Sequence, residues 1–437
     1  MMLANYIMKK LLAQGADDIV ITVGRNNTNH IKFFNNKIAA TKSWNMINLD
    51  IFMAINKRLV TTTLKEFSKK SADEITKNLI RFSKNIPKNK EYLGIADGPF
   101  KYKKILDSYD KKIMEIDGID LVESGINTSL EQGAKRTAGV LELSEGKTLL
   151  ITSNGVEAED KGTDIYFSIR SFSDKDASGH KVGVSNTLKG IDIPKIAKES
   201  GRFAKMSLNP KDGKSGKYTV LFEPLSFANV LDNFGAGCSV FQVEAGLSCL
   251  AGKIGKRVAS KNFNFYDDGR LKNGVGSALF DLEGVPTQRT HLIKDGILKT
   301  YLHNTSTAKR YGVKTTANAG LVAPEPHNLV LGKGKYKKED MLKKIKKGIW
   351  ITNIWYTRFQ DHVAGDFSTI PRDGAFYIEN GKIKHPVKNI RISENLINIL
   401  KNVTAIGINP EQIRCWEVET PCLTPSVLVK NVNITKP

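Results

Sequence analysis

Pairs of turn-forming residues interrupt the apolar segments along most of this chain, and they constrain its fold more than any other feature of the sequence. Asn and Gly tolerate the left-handed backbone that two-residue hairpin turns require. The flanking segments alternate apolar and polar residues, which is typical of strands with one buried face. We therefore predict short antiparallel strands that reverse at Asn35-Asn36, Asn56-Lys57, Glu145-Gly146, Asn154-Gly155, Lys161-Gly162 and Asn380-Gly381.

Helices are predicted where apolar residues recur at intervals of three and four. A capping box of Ser71 and Glu74 indicates one helix start, and Asp192 indicates another. In the second half, a buried strand at 218–224 ends at Pro224, and a helix follows it directly. The predicted helices span residues 3–14, 71–82, 117–134, 192–206, 225–237, 338–347 and 393–402. Strands dominate the remainder, so the predicted fold class is α+β.

The length of 437 residues allows two or three domains at ~150 residues per domain. The stretch NPKDGKSGK at 209–217 combines Pro, Gly and Lys in the manner of a linker. We predict an N-terminal α+β domain over 1–212, in which small sheets carry helices, and a β-rich C-terminal domain over 213–437. A connector at 87–104 divides the first domain into units of about 1–86 and 105–208.

The composition is that of a protein that folds throughout, with 40% hydrophobic and 25% charged residues. No segment approaches the ~18 uninterrupted apolar residues of a membrane-spanning helix, and charges between residues 9 and 18 break the opening apolar pattern, unlike a signal peptide. The four cysteines show no C-x-x-C spacing, which favours reduced thiols. We therefore expect a cytoplasmic protein without a membrane partner.

The formal net charge of +21 is compatible with a nucleic-acid partner. However, the densest basic run, Lys333–Lys347, spaces Met341, Leu342 and Ile345 along one side of a helix, so that its lysines face water. The chain also lacks zinc-finger spacing, an Arg-rich tail and interleaved basic and aromatic residues. A nucleic-acid-binding function stays open only as a disfavoured alternative.

Zinc peptidases most often present two histidines one helical turn apart. The seven histidines of this chain are too widely spaced for such a helix, and residues 181–290 contain none. A site assembled from loops stays open, in which His291, His303 and His362 converge with Asp366. Phosphate-loop, dinucleotide-binding and G-x-S-x-G motifs are absent from the sequence, so nucleotide chemistry and a serine elbow have no support.

One segment, residues 353–374 (NIWYTRFQDHVAGDFSTIPRDG), concentrates charged, aromatic and hydroxyl side chains between glycines. Such a segment can bind an extended peptide through main-chain pairing and polar anchors. An internal network of ion pairs and turns explains the same composition equally well. The predicted substrate-binding residues are Arg358, Asp361, His362, Asp366, Ser368 and Arg372.

Several blocks of the chain resemble the TldD/PmbA family. The strongest are EGVPTQRTHLIKDGILKTYLHNTSTAKRYG at 283–312, TTANA at 315–319, VAGDFSTIPRDGAFYIENG and the residues after it at 363–407, and TPSVLVKNVNI at 424–434. KIAATKSW at 37–44 is a weaker match. The resemblance spans nearly the whole chain. Within the family, the chain is most similar to the PmbA (TldE) branch.

The resemblance implies a two-domain cytoplasmic protein whose family includes a zinc peptidase. In the TldD branch a histidine-glutamate-histidine helix and a C-terminal cysteine hold the metal, and the PmbA branch pairs with that subunit while lacking the motif. The helix at 225–237 occupies the position of the metal helix, and its polar positions are Asn229, Asp232 and Asn233. The surroundings of Cys415 and Cys422 do not reproduce the cysteine motif. We therefore expect no catalytic residue, metal ligand or cofactor in this chain, and zinc in its partner.

The leading hypothesis is a non-catalytic partner subunit of a TldD-type zinc metallopeptidase that degrades or processes peptides and unfolded proteins. The partner would be a TldD-type catalytic subunit, with a homodimer left open. The first alternative is a self-sufficient metallopeptidase or hydrolase whose site is built from loop residues such as His303, His362 and Asp366. The second is the nucleic-acid-binding protein already mentioned.

Overall fold

The computed structural model of the protein describes residues 1–436. The strands of its first half are β1 (Asp18–Phe34), β2 (Lys37–Ile55), β3 (Arg58–Leu64), β4 (Arg136–Thr152), β5 (Glu157–Asp174) and β6 (Ala177–Ser185). The helices are α1 (Met2–Ala13), α2 (Lys69–Ser83), α3 (Gly118–Glu131) and α4 (Ile193–Met206), with short 3-10 turns at Lys111–Met114 and Leu188–Gly190.

These six strands form one antiparallel sheet in the order β3-β2-β1-β4-β5-β6. Ile19 and Ile21 of β1 point to one face and pack with α1 and α2, while Ile31 and Phe33 point to the same face and pack with α3 and α4. Val20 points to the opposite face, which contacts the connector and the second half of the chain. The first sheet therefore carries its helices on one face and the rest of the protein on the other.

The second half is richer in strands. Its strands are β7 (Lys211–Asp212), β8 (Gly216–Phe222), β9 (Phe265–Asp268), β10 (Arg289–Lys294), β11 (Ile297–Leu298), β12 (Leu329–Leu331), β13 (Lys347–Asp361), β14 (Asp366–Glu379), β15 (Lys382–Lys388), β16 (Arg391–Asn395), β17 (Val403–Ile406), β18 (Glu411–Cys415), β19 (Val418–Thr424) and β20 (Val427–Thr435). Its helices are α5 (Pro224–Gly237), α6 (Val240–Glu244), α7 (Thr305–Tyr311), α8 (Lys338–Lys343) and α9 (Leu396–Lys401).

Two sheets organise this half. One has the order β11-β10-β9-β12-β19-β18, and the other runs β13-β8-β20-β16-β14-β15-β7 with β17 paired to β20. Because β13 also pairs with β14, the strands β13, β8, β20, β16 and β14 close into a ring. The large apolar cluster of this half packs α5 and both sheets together. The α+β class with a strand-rich second half is confirmed.

The turn predictions succeeded where an Asn begins the pair. The pairs at Asn35, Asn56 and Asn380 have left-handed backbones at both positions, and Gly155 is left-handed with φ +82. The predicted turns at Glu145-Gly146 and Lys161-Gly162 are wrong. These residues lie inside β4 and β5, where they pair across the ladder, so the strands are continuous and longer than we predicted.

The predicted capping box at Ser71 is also wrong. Helix α2 begins at Lys69, and the hydroxyl of Ser68 accepts a hydrogen bond from the backbone N–H of Ser71 at 3.0 Å. The cap is therefore one turn earlier than the pattern indicated. Asp192, in contrast, caps α4 as predicted, because its carboxylate accepts the backbone N–H of Lys195 at 2.9 Å. No helix within residues 1–436 combines the length and the hydropathy that a bilayer crossing requires.

A buried carboxylate joins the first sheet to the ring. Oδ2 of Asp373 on β14 accepts hydrogen bonds from Arg170 on β5 at 2.9 Å and from Asn353 on β13 at 3.1 Å. Its Oδ1 accepts the hydroxyl proton of Ser178 on β6 at 2.8 Å. Because the Asp373 side chain is 1% exposed, its charge depends on these donors. We call this contact the Asp373 joint.

We expect Asp373→Asn to lower the free energy of unfolding by about 2–4 kcal/mol, because it leaves the Arg170 guanidinium without its anionic partner. Asn tolerates the left-handed backbone of position 373, so the change tests the charge and not the turn. Urea titration of the variant provides the measurement. The matched control is Glu123→Gln on the exposed side of α3. If Asp373→Asn lowers the free energy of unfolding no more than this control, the stabilising role of the Asp373 joint is contradicted.

Candidate functional site

Helix α5 lies at the centre of the candidate site. Strand β8 is buried and ends at Phe222, and Pro224 begins the helix at a position where its missing N–H carries no penalty. The hydroxyl of Ser226 donates to the carbonyl of Ile351 on β13 at 3.0 Å, which fixes the first turn against the ring. The side chains of Phe227 and Leu231 are fully buried in the core. The polar side of α5 consequently faces away from the core.

Asn229 is the most enclosed polar residue of that side, with 2% of its surface exposed. Its amide nitrogen donates to the carbonyl of Glu417 at 2.8 Å, and its amide oxygen accepts the hydroxyl proton of Thr357 at 2.7 Å. The amide nitrogen of Asn233 donates to the backbone carbonyl of Asn229 at 2.8 Å. Both ends of the Asn229 amide are therefore engaged within the protein.

Asp232 holds the beginning of β19. Its two carboxylate oxygens accept the backbone N–H groups of Glu419 at 2.9 Å and Thr420 at 3.2 Å. Burial raises the pKa of Asp232, and these hydrogen bonds oppose that shift because they favour the charged form. The carboxylate therefore acts as a backbone anchor between α5 and β19.

These residues do not fit the zinc that the family resemblance implies for a catalytic branch. The Asn229 amide is occupied by protein partners, and the Cys422 thiol donates to the carbonyl of Thr420 at 3.4 Å, whereas a zinc ligand needs a free thiolate. Burial raises the pKa of Cys415 to about 11 and that of Cys422 well above its usual value. Across residues 1–436, no three His, Cys, Asp or Glu side chains form a group that could hold a metal.

Two adjoining cavities open beside α5, and together we call them the α5 groove. The first, about 430 Å³, lies between α5, Thr357 and Arg358 of β13, and the turn that joins β18 to β19. The second, about 480 Å³, continues towards the first sheet and is mainly apolar. Trp416 and Glu417 line both cavities, and Trp416 is 86% exposed. The aromatic lining residues of the second cavity are Tyr166, Phe172, Trp355 and Trp416.

A bulge in β13 shapes this groove. The ladder pairs Trp355 with Ile370 and Arg358 with Ser368, so one more residue lies on β13 than on β14 between these pairs. Tyr356 has φ +56 at the bulge, a conformation that is strained for a bulky residue. The bulge places Thr357 against Asn229 and Trp355 in the cavity wall. A backbone irregularity thus brings β13 and α5 into direct hydrogen-bond contact.

Cationic and neutral groups surround the Trp355 ring. The guanidinium carbons of Arg372 and Arg170 lie 4.0 Å and 5.0 Å from its centroid. His180 lines the same cavity, and its Nε2 lies 3.0 Å from the hydroxyl of Ser168. Desolvation lowers the pKa of His180 to about 4, against the opposing attraction of Asp373. His180 is therefore neutral at neutral pH and contributes hydrogen bonds to the wall.

The structure separates the six predicted substrate-binding residues. Arg358 lines the α5 groove, and Arg372 lies over Trp355 beside it. Asp361 and Asp366 support the β13–β14 turn: Asp361 accepts the backbone N–H of Val363 at 2.8 Å, and Asp366 accepts an amide proton of Asn395 at 2.8 Å.

The other two of the six lie away from the groove. Ser368 is buried and accepts a hydrogen bond from Arg391 at 2.6 Å. His362 stacks on Phe359 and lines a separate cavity of about 160 Å³ next to Cys249. A substrate role for the six residues stays a prediction. Of the six, only Arg358 lines the groove, and Arg372 packs on the ring of the lining residue Trp355.

The predicted loop-built convergence of histidines is not found in the described residues. His303 is buried beside Tyr311, with its Nδ1 3.3 Å from the hydroxyl of Thr307. His362 lies at the β13–β14 turn among different neighbours. The structure therefore places these histidines in two separate environments.

Sequence reasoning missed Thr357, Trp416 and the aromatic lining from the first sheet. Thr357 and Trp355 belong to the segment that we singled out, but nothing local indicates a bulge at Tyr356. Trp416 follows Cys415 in a segment that we considered only for the cysteine motif. Tyr166 and Phe172 lie on β5, far from β13 in the sequence, so only the tertiary fold reveals their place in the groove.

The chain matches a family described as the PmbA/TldA metallopeptidase C-terminal domain over residues 215–436 and its central domain over residues 103–208. An uncharacterized protein of Methanocaldococcus jannaschii is 27% identical over 369 residues, covering 82% of this chain and 84% of that protein. Metalloprotease PmbA of Escherichia coli O157:H7 is 31% identical over 217 residues, covering 47% and 46%. A metalloprotease TldD homolog of Buchnera aphidicola is 32% identical over 227 residues, covering 50% and 46%.

The chain thus aligns with only about half the length of these two named metalloproteases. Solved structures share the whole fold. TldE from Thermococcus kodakarensis superposes with a TM-score of 0.88 at 19% identity, covering 99% of this chain and 100% of that one. A Thermotoga maritima protein described as a candidate modulator of a DNA gyrase has a TM-score of 0.88 at 21% identity, covering 99% of each chain. At such identities these likenesses concern the fold alone.

We expect His180→Gln to reduce the loss of stability on acidification. The folded pKa of His180, about 4, lies below the ~6.5 of an unfolded histidine. The neutral ring therefore makes its full contribution to the free energy of unfolding above pH 6.5, and this contribution declines as the pH falls towards 4. The full contribution is up to about 3 kcal/mol. Urea titrations between pH 7 and pH 4 measure it. The control is His362→Gln at the exposed turn, and an equal pH dependence for both variants would contradict the assignment.

Proposed function

The chain belongs to the PmbA/TldD metallopeptidase family, and from this premise we propose that it is a non-catalytic partner subunit of a TldD-type zinc metallopeptidase. Such a complex would degrade or process peptides and unfolded proteins. The partner in this proposal is a TldD-type catalytic subunit that carries the zinc. The complex would work in the cytoplasm.

One observation carries the proposal. Helix α5 lies where the family resemblance puts the metal helix of the catalytic branch, and its polar side is committed to structural hydrogen bonds. Asn229 bridges β13 and the β18–β19 turn, and Asp232 anchors β19. Replacing an engaged amide by a metal ligand would require new partners for the Glu417 carbonyl and the Thr357 hydroxyl.

In this proposal the α5 groove is a surface that binds the peptide substrate. An unfolded peptide offers apolar side chains and main-chain amides, and the groove offers aromatic surfaces with polar groups at its edge. Trp355 and Trp416 would contact apolar side chains of the peptide. Arg358, which lines the groove, would donate hydrogen bonds to carbonyl or carboxylate oxygens of the peptide. The chain would thereby orient peptides while its partner supplies the chemistry.

We expect the purified chain alone to contain much less than equimolar zinc and to leave an unfolded peptide intact. Adding a TldD-type chain in equimolar amount should restore cleavage, because the missing ligands then come from the partner. Metal analysis, peptide cleavage followed by mass spectrometry, and the mass of the complex are the measurements. The TldD-type chain alone and each chain with excess zinc are the controls. Equimolar zinc together with cleavage by the lone chain would contradict the proposal.

We expect Trp416→Ala to raise the KM of the reconstituted complex roughly three- to tenfold for a peptide with aromatic residues, with little change in kcat, because one aromatic contact contributes about 0.5–1.5 kcal/mol. The control is Trp44→Ala, an exposed tryptophan on β2 outside the groove. Steady-state kinetics of both variants provide the comparison. An unchanged KM for Trp416→Ala would contradict substrate binding in the α5 groove. It would not contradict the assignment of the chain as a partner subunit.

A further inference from the structure

Another cavity, separate from the α5 groove, lies between the first sheet and the second half of the chain. It has a volume of about 200 Å³ and shares no lining residue with the α5 groove. The connector crosses it, because the backbone N–H of Leu93 donates to the Ser306 hydroxyl at 3.0 Å and Lys309 donates to the Leu93 carbonyl at 3.2 Å. We call it the connector cavity.

One side of the connector cavity is apolar. Val20, Phe52 and Leu59 line it from the first sheet, and Ile95 and Leu321 line it from the connector and the second half. The volume lies below the range of ~300–1,000 Å³ that is typical of drug-sized ligands. The cavity therefore has room for one small apolar group, of the size of an amino-acid side chain.

The opposite side carries a buried carboxyl group. Glu283 is 6% exposed, and the backbone N–H of Thr305 donates to its Oε2 at a long 3.2 Å. Among residues 1–436, no Lys, Arg or His forms a salt bridge with Glu283. Asp281 lies behind it, with its own oxygens accepting the backbone N–H groups of Glu283, Val285 and Ala319. Burial and the nearby Asp281 raise the pKa of Glu283 to about 8.

The charges around the cavity favour a cation. Arg310 is the one basic residue in the lining, and it is paired with Glu91 at 3.1 Å and with Glu244. Glu91 and Glu244 also line the cavity. Three carboxyl groups and one guanidinium thus line the cavity, and the guanidinium is shared between two of the three. Glu283 is the acid for which the described residues provide no cationic partner.

We propose that the connector cavity binds a primary ammonium group attached to a small apolar substituent, the chemistry of a peptide N-terminus with an aliphatic first residue. The ammonium would donate to Glu283, and the substituent would pack against Phe52, Leu59 and Ile95. An ammonium supplies three donors and a positive charge, and its binding would stabilise the carboxylate form of Glu283 and release to solvent the proton that the raised pKa keeps on this group at pH 7. Acetylation of the amine removes both the charge and two of the donors. The proposal does not depend on the proposed function, because the cavity and the α5 groove are separate.

The test is calorimetric titration of the full chain with leucinamide at pH 7, with N-acetyl-leucinamide as the matched uncharged probe. We expect saturable binding of one leucinamide and at least tenfold weaker binding of the acetylated probe. Glu283→Gln should weaken leucinamide binding at least tenfold, and Glu339→Gln, on the exposed side of α8, should not change it. Thermal unfolding of both variants shows that they are folded.

A second variant tests the cavity independently of its acid. Leu59→Trp should fill the apolar side and abolish binding of leucinamide while leaving Glu283 in place. Equal affinities for the free and acetylated amines would overturn the proposal. So would unaltered binding in Glu283→Gln or the absence of saturable binding by the unmodified chain. None of these outcomes bears on zinc content or reconstituted peptidase activity.

Discussion

The closed ring of five strands is the constraint on which the second half of the structure depends. Strand β8 lies within this ring, parallel to β13 on one side and antiparallel to β20 on the other, so its exit point is fixed by hydrogen bonds in both directions. Pro224 then starts α5 at that exit without an unsatisfied N–H. The orientation of α5, and with it the position of Asn229, follows from the ring.

Polar groups around α5 connect neighbouring elements through hydrogen bonds. Asn229 binds β13 and the β18–β19 turn, and Asp232 binds β19, so both connect α5 to its neighbours. Asp373 binds groups from β5, β6 and β13 and connects the β13–β14 hairpin to the first sheet. Buried polar groups that are fully hydrogen-bonded give an arrangement its specificity, since any slippage would leave a donor or acceptor unpaired. The aromatic surfaces of the groove are consequently held by a rigid polar frame.

Local features of the fold were predictable because local chemistry determines them. The left-handed turns at Asn35, Asn56 and Asn380 and the helix start at Pro224 each depend on a few adjacent residues. Gly146 failed as a turn because it pairs with Asn26 of β1 and with Gly162 of β5, and this pairing on both sides outweighs local preference. The polar positions of α5 were also predictable from the sequence.

The assembly of the groove was not predictable in this way. The contact between Asn229 and Thr357 needs a bulge at Tyr356, a residue type that disfavours that backbone conformation. The aromatic wall joins residues of β5, β13 and the β18–β19 turn that are far apart in the chain. Glu283 stood in a block that resembles the family, yet its lack of a cationic partner is a property of the folded protein alone. The domain boundary near 209–217 stays a prediction.

The β1–β2 hairpin has one further consequence. Strand β3 pairs with β2 only from Leu49 to Ile55, so in the described structure residues 37–48 are bonded to β1 on one side and have an open flank on the other. Such a flank is a template for lateral growth by another extended chain. Lys37 and Lys42 lie along it, and an incoming strand would have to strip water from their ammonium groups. We therefore expect these two charges to keep concentrated solutions of the protein free of aggregates that grow from the open flank.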